Sequence, residues 1–94
     1  MSQEQPEKVV RITMSNGLPV PDQDPIVVRK DNQKIRWSAD FDFKIDVDGY
    51  DDMHYTNGGS DYRCTTGTFP EIRKYKYSIT ANGVTNDPDI DIKP

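Results

Sequence analysis

The sequence predicts an all-β fold, a two-sheet antiparallel Greek-key sandwich of about seven strands. Three observations predict it. Eight Ile and seven Val stand against one Leu and two Ala, so β-branched residues dominate and strong helix formers are scarce. Ile35, Trp37, Ala39, Phe41, Phe43, Ile45 and Val47 occupy every second position, with Arg36, Ser38, Asp40, Asp42, Lys44 and Asp46 between them. That is the period of strands with one buried face. Six Gly and seven Pro divide the 94 residues into short runs, as the frequent turns of a sandwich require.

Taken in order, residues 1–7, MSQEQPE, are polar and read as a disordered tail. Residues 8–94 read as one domain. KVVRITM (8–14) alternates, with Val10, Ile12 and Met14 on one face, and Ser15–Gly17 turns the chain. LPVPDQDP (18–25) is extended or irregular, because its prolines remove backbone donors. IVVRK (26–30) is a strand and DNQ (31–33) a turn. The alternating run from Lys34 is too long for one strand, so a break is expected near residues 38–40. Residues 49–69 are rich in Gly and polar side chains and read as a long loop with one short strand around Tyr62–Cys64. Residues 49–61 are expected to be the most mobile part of the domain. Pro70 suits the first position of a helical turn through Arg73. KYKYSITA (74–81) is a strand, NGVTNDP a connection, and DIDIK (89–93) the last strand. Shared parity puts Trp37, Phe41, Phe43, Tyr77 and Ile79 at the centre of the core.

Composition bounds the function. The formal net charge is −4 and the pI about 4.8, which disfavours a nucleic-acid partner. One cysteine, Cys64, permits no internal disulfide. The first ten residues hold no apolar signal-peptide region, and no run approaches membrane-spanning length. The expected location is cytoplasmic, with no membrane partner.

With the strands placed, the chain resembles the cupredoxin-like sandwiches. The stretches that carry the resemblance are DPIVVRKDNQKIRW, then FDFKI, then YKYSI, then DPDIDI. Small bacterial proteins share this order of an I-x-W strand, a Y-x-Y strand and a final DP strand. The resemblance covers most of residues 9–93 and implies the sandwich fold. It also implies a blue-copper site of two His, one Cys and an axial Met. Here His54 and Cys64 stand alone, and no His or Met follows Cys64. No copper, and no other cofactor, is therefore expected. An immunoglobulin-like sandwich is the second resemblance, with Trp37 on the third strand and Tyr75 or Tyr77 on the penultimate one, but without the inter-sheet cysteine pair.

Other constellations are incomplete. Asp46, Asp48, Asp51 and Asp52 suggest an oxygen-rich calcium-type site at a strand end. Counted from Asp46, however, Gly49 falls at the fourth position of an EF-hand template, and no Glu occupies the twelfth. His54, Tyr55 and Asp61 share one loop without any nucleophile motif. Arg73, Lys74, Lys76, Lys34 and Arg36 form a basic patch if their strands are neighbours. Asp89 and Asp91 are expected to lie beside Lys74 and Lys76 as cross-strand ion pairs. The sequence thus leads to a non-catalytic module with no catalytic residues, which binds a protein partner or contributes structure. It is expected to be a monomer or weak homodimer. The alternative is a metal-binding protein that uses the Asp-rich strand end.

Overall fold

The computed structural model describes residues 7–59 and 61–94. The expected tail therefore lies outside the described residues, except for Glu7. That residue belongs to the first strand, where its carboxylate meets Arg36 at 3.2 Å. Among the described residues there are ten strands and no helix. They are β1 (Glu7–Ser15), β2 (Leu18–Pro21), β3 (Ile26–Arg29), β4 (Lys34–Ala39), β5 (Lys44–Val47), β6 (Met53–Gly58), β7 (Asp61–Thr66), β8 (Lys74–Ala81), β9 (Val84–Asn86) and β10 (Asp89–Lys93). One five-stranded sheet has the order β2-β1-β4-β7-β6. The other has the order β3-β10-β8-β5, with β9 also paired to β8.

Two expectations are corrected here. The strand number is ten rather than about seven, and the sheets are mixed rather than antiparallel. β1 runs parallel to β4, with Val10 opposite Trp37. β3 runs parallel to β10, with Ile26 opposite Ile90. The cause is the path of the chain. β2 and β3, β3 and β4, β4 and β5, β5 and β6, and β7 and β8 are consecutive strands in opposite sheets. A strand that returns through the other sheet is free to lie parallel to an earlier one. Alternation tells which face of a strand is buried, but not the direction of its neighbour.

Two Asn-Gly turns set the hairpins. Asn16 and Gly17 have φ of 53° and 80°, and Asn82 and Gly83 have 54° and 78°. Positive φ at both central positions matches the twist of the flanking strands, and Asn and Gly tolerate it best. The second turn makes β9 from the middle of NGVTNDP, which the sequence reads wholly as a connection.

Both sheets bury their inner faces in one cluster. Val10, Ile12, Ile35, Trp37, Ala39 and Cys64 come from the first sheet. Ile26, Val28, Ile45, Val47, Tyr75, Tyr77, Ile79, Ile90 and Ile92 come from the second. Trp37 and Tyr77 join the sheets: their rings are 5.2 Å apart, and the indole Nε1–H donates to the Tyr77 hydroxyl at 3.3 Å. Phe43 is buried, but Phe41 is only partly so. The reason is that β4 ends at Ala39 and β5 begins at Lys44, so Phe41 rides on the crossing between the sheets.

Residues 67–73 form no helical turn. Their carbonyls are claimed by other segments: Asp31 N–H donates to Phe69 O at 2.9 Å and Ile92 N–H to Arg73 O at 2.9 Å. Phe69 is fully buried. It stacks on Tyr50 at 4.3 Å and approaches Tyr75 at 5.5 Å. This loop therefore closes one end of the core.

Candidate functional site

Within residues 49–61, read from the sequence as loop, Met53–Gly58 form one strand of a hairpin. β6 pairs with β7 from Met53 opposite Thr66 to Gly58 opposite Asp61. The phase of the ladder follows from its end. Gly67 N–H donates to Asp52 O at 3.1 Å, while Met53 N–H turns back to Asp51 O at 2.9 Å. Bonded and non-bonded residues alternate along an antiparallel pair. His54, Thr56 and Gly58 therefore bond to β7, while Tyr55 and Asn57 present their N–H and C=O groups to the open side.

Open strand edges invite other chains to pair with them, and proteins usually block them. Among the described residues the edges of β2 and β5 are blocked, while β3 and β9 each leave a single outward residue open, Val27 and Thr85. On β2 the residues that face outward are Pro19 and Pro21, which have no N–H, and Pro19 O accepts from Asn86 Nδ2 at 3.0 Å. On β3 the outward residues are Val27 and Arg29; Arg29 N–H donates to Gln33 Oε1 at 3.0 Å, and its carbonyl accepts from Gln33 N–H at 3.2 Å. On β5 they are Ile45 and Val47. The Tyr55 hydroxyl accepts from Ile45 N–H at 2.8 Å and donates to Ile45 O at 2.9 Å, and Val47 O accepts from Tyr50 N–H at 3.2 Å. β6 differs. It has no Pro, Asp, Glu, Lys or Arg, and all its residues after Met53 are exposed. Among the described residues nothing pairs with the outward backbone groups of Tyr55 and Asn57.

The sequence candidates scatter around this edge. His54 lies on the outer face of the first sheet, with its Nε2 3.6 Å from Asp52 in an exposed pair. Cys64 lies on the inner face, opposite Tyr55 in register and fully buried. The two borderline-to-soft metal ligands thus sit on opposite faces of one sheet. Burial pushes the Cys64 thiol up to about 11, the Tyr55 hydroxyl pulling weakly the other way. Burial also raises the Tyr55 phenol, against the pull of its bond to Ile45. Asp61 is held by Arg63 at 2.8 Å. His54, Tyr55 and Asp61 therefore share no common centre. Asp46 lies on β5, Asp48 in the turn after it, and Asp51 and Asp52 just before β6. The Asp52 carboxylate fills the space that a side chain at position 67 would take. Among the described residues no three His, Cys, Asp or Glu side chains group to hold a metal ion.

The expected basic patch is divided between the sheets, because Lys34 and Arg36 are on β4 while Lys74 and Lys76 are on β8. The expected ion pairs form in part. Asp89 lies opposite Lys76 and meets its Nζ at 3.2 Å, whereas Asp91, opposite Lys74, pairs with Lys93 at 3.2 Å. The sequence reading misses Tyr50 and Phe69. Aromatics inside Gly- and Pro-containing loops were the available signal. An open groove of about 670 Å³ at one end includes Met14, Phe41, Phe43 and Ala81 with Asp42 and Lys44. It offers an apolar surface beside one carboxylate and one amine.

No protein-family model matches the chain, and no curated protein matches its sequence significantly. No helix among the described residues is long and apolar enough to cross a membrane.

Proposed function

We propose that this chain is a non-catalytic β-sandwich module that binds a protein partner by strand addition at β6. The fold we infer is a Greek-key sandwich of the cupredoxin-like type without its copper ligands. Repeated crossing of the chain between two sheets over one core supports that reading. The observation that carries the function is the contrast between edges. Proline and tyrosine block β2 and β5, glutamine caps Arg29 on β3, and Val27 on β3 and Thr85 on β9 are single open positions, while β6 keeps two successive outward residues, Tyr55 and Asn57, open. An added strand gains main-chain hydrogen bonds there, and alternate side chains set its specificity.

The test uses a display library of extended peptides and amide chemical-shift mapping on the labelled protein. Selected peptides are expected to shift the amides of Tyr55 and Asn57 most. Asn57→Pro removes an outward N–H without touching the β6–β7 ladder, and it is expected to abolish binding while the fold persists. Peptides that map to another surface, or that bind Asn57→Pro unchanged, would sink the reading.

A further inference from the structure

We infer that the strand added at β6 is β6 of a second copy of this chain, paired antiparallel about a two-fold axis. The inference rests on the strand-addition reading above and names its partner. The strand is suited to itself. Met53–Gly58 holds no Asp, Glu, Lys or Arg, so two copies meet without like charges in opposition. A foreign strand rich in charge finds no counter-charge on β6. The nearest charged neighbour on the outer face is Arg63, opposite Thr56 one strand back and held by Asp61 at 2.8 Å.

The free backbone groups choose the register. If the axis passes beside Thr56, Tyr55 of each copy faces Asn57 of the other. Each of these two pairs then exchanges both of its backbone hydrogen bonds. An axis beside Tyr55 would instead require Met53 N–H, which already donates to Asp51 O at 2.9 Å. In the chosen register the two Thr56 side chains form the close, non-hydrogen-bonded pair at the centre. β-branched residues pair well across strands. The two first sheets join into one continuous sheet, the interface is isologous and closed, and both open edges are consumed. This accounts for the edge that, among the described residues, leaves two successive outward residues open, Tyr55 and Asn57. A contact of one strand pair is small, so the dimer is weak and exchanges rapidly.

Sedimentation velocity on the full chain, from about 10 μM to about 1 mM, spans the affinities of weak pairs. A monomer–dimer equilibrium within that range is expected. Thr56→Lys and Thr56→Glu each place like charges together at the axis and should weaken the dimer about tenfold or more. Mixing the two variants should restore association as a heterodimer. A chain that stays monomeric throughout the range overturns the inference, as does a dimer indifferent to Thr56→Lys or a mixture that fails to associate. If the chain is monomeric yet library peptides still bind β6, only the second copy is excluded. If peptides fail as well, strand addition falls with it.

Discussion

The hydroxyl of Tyr55 takes the place of a neighbouring strand on Ile45, accepting from its N–H at 2.8 Å and donating to its carbonyl at 2.9 Å. One side chain from the edge of the first sheet thus satisfies both outward groups of Ile45 at the edge of the second. Tyr55→Phe removes both bonds and keeps the ring. A typical loss of about 1–2 kcal/mol follows, or a melting point lower by roughly 4–8 °C for each kcal/mol in a domain of this size. Amide exchange at Ile45 should accelerate more than at Ile79, its partner on β8. Unchanged protection at Ile45 would show that the hydroxyl does not hold that edge.

The contact between Trp37 and Tyr77 makes a second prediction. The indole N–H and the phenol are both buried, and the bond between them spans the two sheets. Tyr77→Phe leaves the indole N–H without its acceptor, a cost of about 1–3 kcal/mol. Trp37 is the sole tryptophan, so its fluorescence reports on the site directly. A shift in native emission is expected alongside the lower denaturant midpoint. A variant as stable as the parent, with the same emission, would remove this bond from the list of interactions that matter.

Thr66 supplies a third. Its hydroxyl accepts from Ile35 N–H at 3.0 Å and donates to Gly67 O at 2.8 Å. Thr66→Val keeps the shape but leaves the buried Ile35 N–H unsatisfied. The expected cost is about 1–3 kcal/mol, whereas Thr66→Ser should retain most of the bond and lose chiefly the methyl contact. Thermal melts of the two variants decide the matter: equal losses would mean that packing and not the hydroxyl is at stake.

How legible all this was depends on the kind of residue involved. Trp37, Phe43, Tyr77 and Ile79 sit on long alternating runs, and their burial follows from parity alone. Phe41 shares that parity but sits where the chain changes sheets, a break that period-two alternation hides. β6 was hidden for another reason. Tyr55, Thr56 and Asn57 are exposed, so no apolar rhythm marks the strand. Its signal was weaker: β-formers on each side of the Gly-Gly-Ser stretch. The candidate site itself consists of backbone groups on an unpaired edge. Asp46, Asp48, Asp51, Asp52 and His54 drew the sequence reading because side chains are all that a sequence displays. Which N–H groups remain unpaired depends on register and on neighbours such as Tyr55, which is carried by the other sheet.

The buried phenols and thiol together predict how the protein responds to alkali. Burial raises the Cys64 thiol from 9.0 to about 11, and it also raises Tyr50, Tyr55 and Tyr77 above 10.0. The unfolded chain loses these protons first. The stability they represent is therefore complete below about pH 9 and declines as pH rises through the folded values. For Cys64 alone the loss between pH 9 and 11 is on the order of 2 kcal/mol. In Cys64→Ala, whose side chain does not titrate, urea midpoints should fall less steeply over that interval, although its stability at pH 7 is lower because of the cavity. The native thiol should also resist alkylation at pH 8 and react once urea unfolds the chain, since the thiolate is the nucleophile. Rapid labelling under native conditions, or an identical alkaline slope in Cys64→Ala, would mean that Cys64 is not sealed beneath Tyr55 on the inner face of the sheet.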